Sequence, residues 1–123
     1  MNTDLKTSTI ASTEVQVTQI GMGGAPLGKL DQSVAYRTLE KAYEIGIRYF
    51  DTAPLYGAGN SETFSGSFLS TVDRDEFTLS SKVGRLILSE EEAASFKFDG
   101  PRTATIQVNE KASRYKNNVV FDF

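Results

Sequence analysis

Three short strand-like runs, separated by two segments of helical character, constrain the fold of this chain more than any other feature. The first run, at 20–25, is rich in glycine, while those at 47–50 and 77–83 contain aromatic and β-branched residues. Helical connections between consecutive strands imply parallel strands joined by right-handed crossovers. The order strand, helix, strand, helix, strand therefore predicts an α/β fold.

The first helical segment has recognisable ends and one apolar stripe. Asp31 or Ser33 can cap its amino-terminal end, and Gly46 is a suitable stop. At a spacing of 3.6 residues, the predicted apolar stripe comprises Ala35, Leu39, Ala42, Tyr43 and Ile45.

The second helical segment is predicted to begin at about Ser61. Gly66 weakens this helix by about 1 kcal/mol relative to alanine, because glycine loses more backbone entropy on folding. Its predicted apolar face comprises Phe64, Phe68 and Leu69.

The amino-terminal residues differ in composition from the rest. Residues 1–13 are rich in threonine and serine and predict a flexible arm, which leaves 14–123 as the domain. Val15 and Val17 alternate with polar residues, so a short strand or hairpin is expected before the first strand-like run.

Charge and composition exclude several classes of function. The chain has 123 residues, of which 39% are hydrophobic, and 13 basic residues stand against 16 acidic ones. This balance is ordinary for one globular domain, and the basic patch of a nucleic-acid-binding protein is missing. The chain has no cysteine and no histidine, so we expect neither disulfides nor a metal site. Because no segment has the pattern of a signal peptide or a membrane span, we expect a cytoplasmic protein that binds no membrane.

The chemistry of the chain is concentrated in the run from Tyr49 to Gly57 and in Lys82. Asp51 ends the second predicted strand and Lys82 ends the third. Neighbouring strands lie about 4.8 Å apart, so the two side chains can form an ion pair if they share a face. Tyr56 follows Asp51 by five residues and can fold back over the pair.

These three groups together suit proton transfer to a carbonyl. An ammonium group near a phenol favours the phenolate and lowers the pKa of a tyrosine. Such a phenol can donate its proton to a carbonyl oxygen while hydride arrives at the carbon, and can accept the proton in reverse. The residues alone leave a second interpretation open, in which Asp51 caps a turn and Lys82 is a solvated surface charge.

The glycines of the first run permit close approach of the backbone to a ligand. They do not form the dinucleotide fingerprint GxGxxG, because Pro26 stands where the helix should begin. These glycines therefore leave open both close packing and a cofactor contact.

Four segments together resemble the amino-terminal third of the aldo-keto reductases, and most closely the branch that includes aldose dehydrogenases. These segments are Gly21–Gly28, Gly46–Gly57, Ser61–Glu62 and Lys82–Arg85. The resemblance implies a TIM (β/α)8 barrel, of which this chain would supply the first three strands and two helices. It also implies NADP or NAD as cofactor and a small aldehyde or sugar as substrate.

The resemblance also implies roles for particular residues. The family uses a catalytic tetrad of Asp, Tyr, Lys and His, and Asp51, Tyr56 and Lys82 match its first three members. The residues after the first strand line the nicotinamide site in the family. The implied cofactor-binding residues are Gly23, Gly24, Ala25 and Asp51.

One departure from the family pattern concerns the fourth tetrad member. The chain has no histidine, and the family's histidine would lie beyond Phe123. Three strands cannot close an eight-stranded barrel, and unpaired strand edges promote association. We therefore expect a truncated, poorly active and self-associating oxidoreductase fragment. The alternative is a reductase-like binding or regulatory module without catalysis.

Overall fold

The computed structural model describes residues 1–83, 85–89, 91–92, 107–108 and 117–121. The described strands are β1 (Thr7–Thr9), β2 (Gln16–Thr18), β3 (Met22–Gly23), β4 (Tyr49–Asp51), β5 (Thr78–Ser80), β6 (Arg85–Ser89), β7 (Gln107–Val108) and β8 (Asn117–Phe121). The helices are α1 (Gln32–Glu44) and α2 (Asn60–Leu69), with single 3-10 turns at Leu27–Lys29 and Arg74–Glu76.

A parallel sheet in the order β3-β4-β5 forms the centre of the structure. Helix α1 connects β3 to β4, and α2 connects β4 to β5, so the predicted alternation of strands and helices is confirmed. The register aligns Gly23 with Asp51 and Asp51 with Ser80. Three chemically distinct residues therefore meet at the carboxyl edge of the sheet, where α/β proteins place their sites.

Helix α1 packs on the sheet through Ala35, Leu39 and Ala42, all of which are buried as predicted. Gly46 follows the helix at a φ of 98°, a left-handed conformation that glycine adopts readily. The prediction that Ile45 extends the apolar stripe is wrong, because this side chain is 58% exposed. The helix ends at Glu44, so helical periodicity no longer determines the direction of Ile45.

Helix α2 begins at Asn60, one residue before the predicted start, and buries Phe64, Phe68 and Leu69 as expected. The Phe68 ring packs edge-on against Tyr36 of α1, with ring centroids 5.5 Å apart. Fully burying side chains of this size contributes about 1.5–3 kcal/mol each. The two helices thus share one apolar core with the sheet.

An antiparallel hairpin of β1 and β2 precedes the sheet, with Thr7 opposite Thr18. Over Thr7–Thr9 the structure therefore differs from the flexible arm predicted for residues 1–13. The three residues of β1 are all exposed, so they lack the apolar alternation by which a strand is recognised. The Thr78 hydroxyl donates to the backbone oxygen of Gln16 at 2.6 Å and ties the hairpin to β5.

The remaining described strands form a third sheet in the order β6-β8-β7, with antiparallel pairings. Much of 93–123 lies outside the described residues, so the domain assignment 14–123 stays a prediction. Over the ranges that are described, the strands do not close into a barrel. Neither α1 nor α2 is long and apolar enough to span a bilayer, and no other helix in the described part of the chain is.

Candidate active site

Asp51 and Lys82 form an ion pair at the carboxyl edge of the parallel sheet. The Lys82 Nζ lies 2.9 Å from Oδ1 and 2.8 Å from Oδ2 of Asp51, so one ammonium bridges both carboxylate oxygens. Nζ also donates to the backbone oxygen of Thr52 at 3.2 Å. The predicted ion pair is therefore present, but the prediction that Lys82 ends the third strand is wrong, because β5 ends at Ser80 and Lys82 lies two residues beyond it. The contact fixes the amine beside the loop that follows β4.

Tyr56 lies on that loop, half-buried, with its ring next to the ammonium. The Lys82 Nζ is 4.9 Å from the centroid of the Tyr56 ring, within range of a cation–π interaction. The structure thus brings together all three residues that the sequence pattern singled out.

The ion pair shifts the pKa values of both partners toward their charged forms. Partial burial acts to raise the pKa of Asp51, but hydrogen bonds from Lys82 and Ser80 outweigh it and hold that pKa below its ordinary value. The hydrogen bond to Asp51 raises the pKa of Lys82 and outweighs the opposing effect of burial, and Tyr56 adds a lesser contribution that also raises this pKa. The site therefore keeps a carboxylate and an ammonium charged at neutral pH.

Ser80 is a member of this cluster that the sequence analysis did not select. Its hydroxyl donates to Oδ1 of Asp51 at 2.7 Å, and the Tyr49 hydroxyl lies 3.1 Å from the Ser80 oxygen. Ser80 is the register partner of Asp51, so its side chain shares that face of the sheet. The only signal in the sequence was the spacing of Ser80 two residues before Lys82, which places both on one face.

The loop that carries Tyr56 has an unusual backbone. Gly57, Ala58 and Gly59 follow Tyr56 in succession with φ values of 63°, 50° and 94°. Ala58 adopts this left-handed conformation although it has a side chain, and it is 1% exposed. The first turn of α2 adds to the support, because Ser61 N–H donates to the Tyr56 oxygen at 3.1 Å. Tyr56 is therefore held by backbone structure on its carboxyl-terminal side.

The residues of the predicted cofactor contact differ in exposure. Gly23 and Ala25 are exposed, and no atom lies within 4 Å of the position that a Cβ of Gly23 would occupy. Gly24 is buried. Its N–H donates to the backbone carbonyl oxygen of Asp51 at 2.7 Å, and its own carbonyl oxygen accepts from the Ser61 hydroxyl at 2.7 Å. The backbone polar groups of Gly24 are thus already engaged within the protein.

Within the described ranges, no three His, Cys, Asp or Glu side chains lie close enough together to hold a metal ion. The arrangement of Asp51, Lys82 and Tyr56 can move a proton.

A family model for the aldo/keto reductase family matches residues 19–119. The chain belongs to the aldo/keto reductase family. Members of this family are oxidoreductases, and the matched segment contains the parallel sheet and its cluster of site residues.

Individual relatives agree with this assignment. D-threo-aldose 1-dehydrogenase of a Pseudomonas species is 44% identical over 81 residues, which are 63% of this chain and 25% of that protein. Pyridoxal 4-dehydrogenase of Microbacterium luteolum is 41% identical over 85 residues, covering 66% of this chain and 25% of that protein. The chain thus spans about a quarter of the length of these relatives.

A comparison with solved structures also agrees with membership of the aldo/keto reductase family. A solved aldo-keto reductase of Bacillus halodurans, in its holo form, superposes with a TM-score of 0.62 at 33% identity. The match covers 71% of this chain and 28% of that structure. The match supports a partial TIM-barrel fold, as the resemblance implied, with the parallel sheet β3-β4-β5 and its helices as its strand–helix units.

Proposed function

We propose that this protein is a nicotinamide-dependent oxidoreductase that acts on the carbonyl or hydroxyl carbon of an aldehyde or aldose. The observation that supports this most is the bridging contact of Lys82 with both oxygens of Asp51, beside the ring of Tyr56. The assignment of aldehydes and aldoses as substrates rests on the aldose dehydrogenase among the relatives.

Tyr56 is proposed to be the general acid and base that transfers the proton. In the direction of reduction, its hydroxyl donates a proton to the carbonyl oxygen, and in the direction of oxidation the phenolate removes the hydroxyl proton. Lys82 stabilises the phenolate by its positive charge, and Asp51 keeps that charge in place. The three side chains thus have separate tasks in one proton transfer.

The cofactor is proposed to contact the sheet edge beside Asp51. The space around Gly23 is open, whereas a Cβ on Gly24 would come within 2.7 Å of the Ser61 oxygen. Gly23, Ala25 and Asp51 are therefore the proposed contacts of NAD or NADP here, and Gly24 supports them from beneath. When bound, the nicotinamide supplies or accepts the hydride.

The test is turnover by the purified protein with NAD⁺ or NADP⁺ and a panel of aldoses, followed by the absorbance of the reduced nicotinamide. Tyr56→Phe should lose turnover by at least about a hundredfold, the usual scale of general acid–base catalysis, while cofactor binding is retained. Tyr36→Phe is the matched control, because Tyr36 lies on α1 and packs against Phe68. Undiminished turnover in Tyr56→Phe would contradict the role of Tyr56, and cofactor binding without turnover in the unmodified protein would favour a regulatory module.

We also propose that copies of this protein associate through the unpaired edges of the parallel sheet. Within the described ranges β3 and β5 are the edges of the parallel sheet, and Leu79 and Val83 are 40% and 99% exposed. Unpaired edges with apolar side chains promote pairing with another chain. Light scattering that reports a concentration-independent monomer would contradict this proposal.

A further inference from the structure

Two hydrogen bonds in series connect Tyr49 to Ser80 and Ser80 to Asp51, the acidic partner of the ion pair. The Ser80 hydroxyl has one hydrogen, and this hydrogen is donated to Oδ1 of Asp51 over 2.7 Å. In the 3.1 Å contact between Tyr49 and Ser80, the tyrosine must therefore be the donor. The order of donation is Tyr49 to Ser80 to Asp51.

Two neighbouring strands, β4 and β5, hold these three side chains in place. Ser80 lies opposite Asp51 in the register of β4 and β5, and its backbone oxygen accepts from Thr52 N–H at 2.9 Å. The Tyr49 ring occupies the space above Gly21, where a Cβ would come within 2.7 Å of the ring. The hydroxyl groups therefore converge on Asp51 because the sheet determines their positions.

Asp51 has little else to fix its orientation. Its side chain is 32% exposed, and Lys82 is its only charged partner among the described residues. The Lys82 ammonium bonds both carboxylate oxygens and the Thr52 oxygen, so it does not distinguish Oδ1 from Oδ2. The Ser80 hydroxyl bonds Oδ1 alone and comes from the neighbouring strand, so it constrains the rotation of the carboxylate in a way that Lys82 does not.

We propose that Ser80 is a positioning residue that orients the Asp51 carboxylate so that both oxygens meet Lys82, with Tyr49 fixing the direction of the Ser80 hydroxyl. This inference rests on the proposed function for its catalytic consequence, but the geometry of the Asp51 carboxylate can be tested without turnover. Ser80→Ala removes the donor to Oδ1, and Tyr49→Phe removes the donor to Ser80. Ser80→Thr keeps a hydroxyl at the same position and should rescue the interaction.

The first measurement is the pH titration of the Asp51 carboxyl by carbon NMR, with the signal assigned through Asp51→Asn. The groups that face this carboxyl in the described structure are Lys82, Ser80 and Tyr49, together with Tyr56 across the ammonium. In Ser80→Ala the midpoint of the Asp51 titration should move to higher pH, toward the ordinary value of an aspartate. In Ser80→Thr the midpoint should return to that of the unmodified protein. Ser81→Ala is the matched control, because Ser81 donates to Glu62 instead of Asp51.

The second measurement separates kcat from KM in the same variants. Ser80→Ala should lower kcat by about tenfold and leave KM nearly unchanged, because it disturbs the orientation of reacting groups and not substrate contact. The proposal would be overturned if the midpoint of the Asp51 titration were unchanged in folded Ser80→Ala. It would also be overturned if Ser81→Ala shifted that midpoint by the same amount. A moved titration in a protein without any turnover would contradict the proposed function and leave the positioning role of Ser80 supported.

Discussion

Gly28 and Gly57 lie backbone against backbone, and this contact ties the loop of Tyr56 to the turn that follows β3. A Cβ built on Gly28 would lie 2.7 Å from the Cα of Gly57, closer than real Cβ atoms approach their neighbours. Asn60 at the start of α2 strengthens the contact by donating to the Gly28 oxygen at 3.4 Å. Two residues without side chains thus set the distance between the Tyr56 loop and the first β-α connection.

Gly28→Ala should therefore destabilise the protein. The added methyl group must displace the backbone next to Tyr56, and overpacking of this kind costs about 1–3 kcal/mol. Chemical denaturation monitored by circular dichroism measures the change in the free energy of unfolding. An unchanged free energy of unfolding would show that the backbone at Gly28 and Gly57 has room for a methyl group.

Gly66→Ala should have the opposite effect. Gly66 is exposed in the middle of α2, and nothing lies within 4 Å of the position of an added Cβ. Alanine is favoured over glycine in a helix interior by about 1 kcal/mol, so unfolding should require more denaturant. Paired with Gly28→Ala, this variant makes the same chemical change with the opposite predicted sign, and a loss of stability in both would refute the explanation.

Ser61→Ala should destabilise the protein through a buried hydrogen-bond cluster. Ser61 is fully buried, donates to the Gly24 oxygen at 2.7 Å and lies 2.9 Å from the Thr52 hydroxyl. Leaving these buried groups without a partner costs about 1–3 kcal/mol. Ser67→Ala is the control, since Ser67 is partly exposed and donates to a helix oxygen one turn earlier; it should change stability by less than about 0.5 kcal/mol. Equal effects of the two substitutions would contradict the importance of burial.

Stability should depend on pH through the Asp51–Lys82 pair. The pKa of Asp51 is lowered in the folded state, so its stabilising contribution is present above the pKa of an unfolded aspartate, about 3.9, and is lost as pH falls through the folded value. The pKa of Lys82 is raised, so its contribution is present below about 10.4 and is lost as pH rises through the folded value. The difference in unfolding free energy between the unmodified protein and Asp51→Asn should therefore be largest near neutral pH and shrink in acid. A difference independent of pH would contradict the ion pair.

The sequence was sufficient to predict the parts of the fold that depend on periodicity. The burial of Leu39 and Phe68 and the meeting of Asp51 with Lys82 follow from helical spacing and from parallel strand ends, both of which are local patterns. Ile45 failed as a core residue because the helix stops one position earlier, and helix ends are not determined by periodicity.

Other features depend on contacts between distant segments. Strand β1 consists of exposed hydroxyl residues and becomes a strand only through its pairing with β2. The bond from Ser80 to Asp51 requires the register between two strands, and the Gly28–Gly57 contact requires two loops to meet. For the first, the sequence offers only the spacing of Ser80 two residues before Lys82, and for the second it offers no local pattern, so neither contact was predicted.

The most direct test of the proposed chemistry follows deuterium from a reduced nicotinamide deuterated at its reactive carbon into the product of an aldehyde substrate. Mass spectrometry of the product reports hydride transfer in the unmodified protein, in Tyr56→Phe and in Lys82→Met, with Lys29→Met as a surface control. Deuterium is expected on the former carbonyl carbon with the unmodified protein and with Lys29→Met, whereas Tyr56→Phe and Lys82→Met should lose the transfer. Equal incorporation of deuterium by Tyr56→Phe would contradict the assignment of the proton to Tyr56.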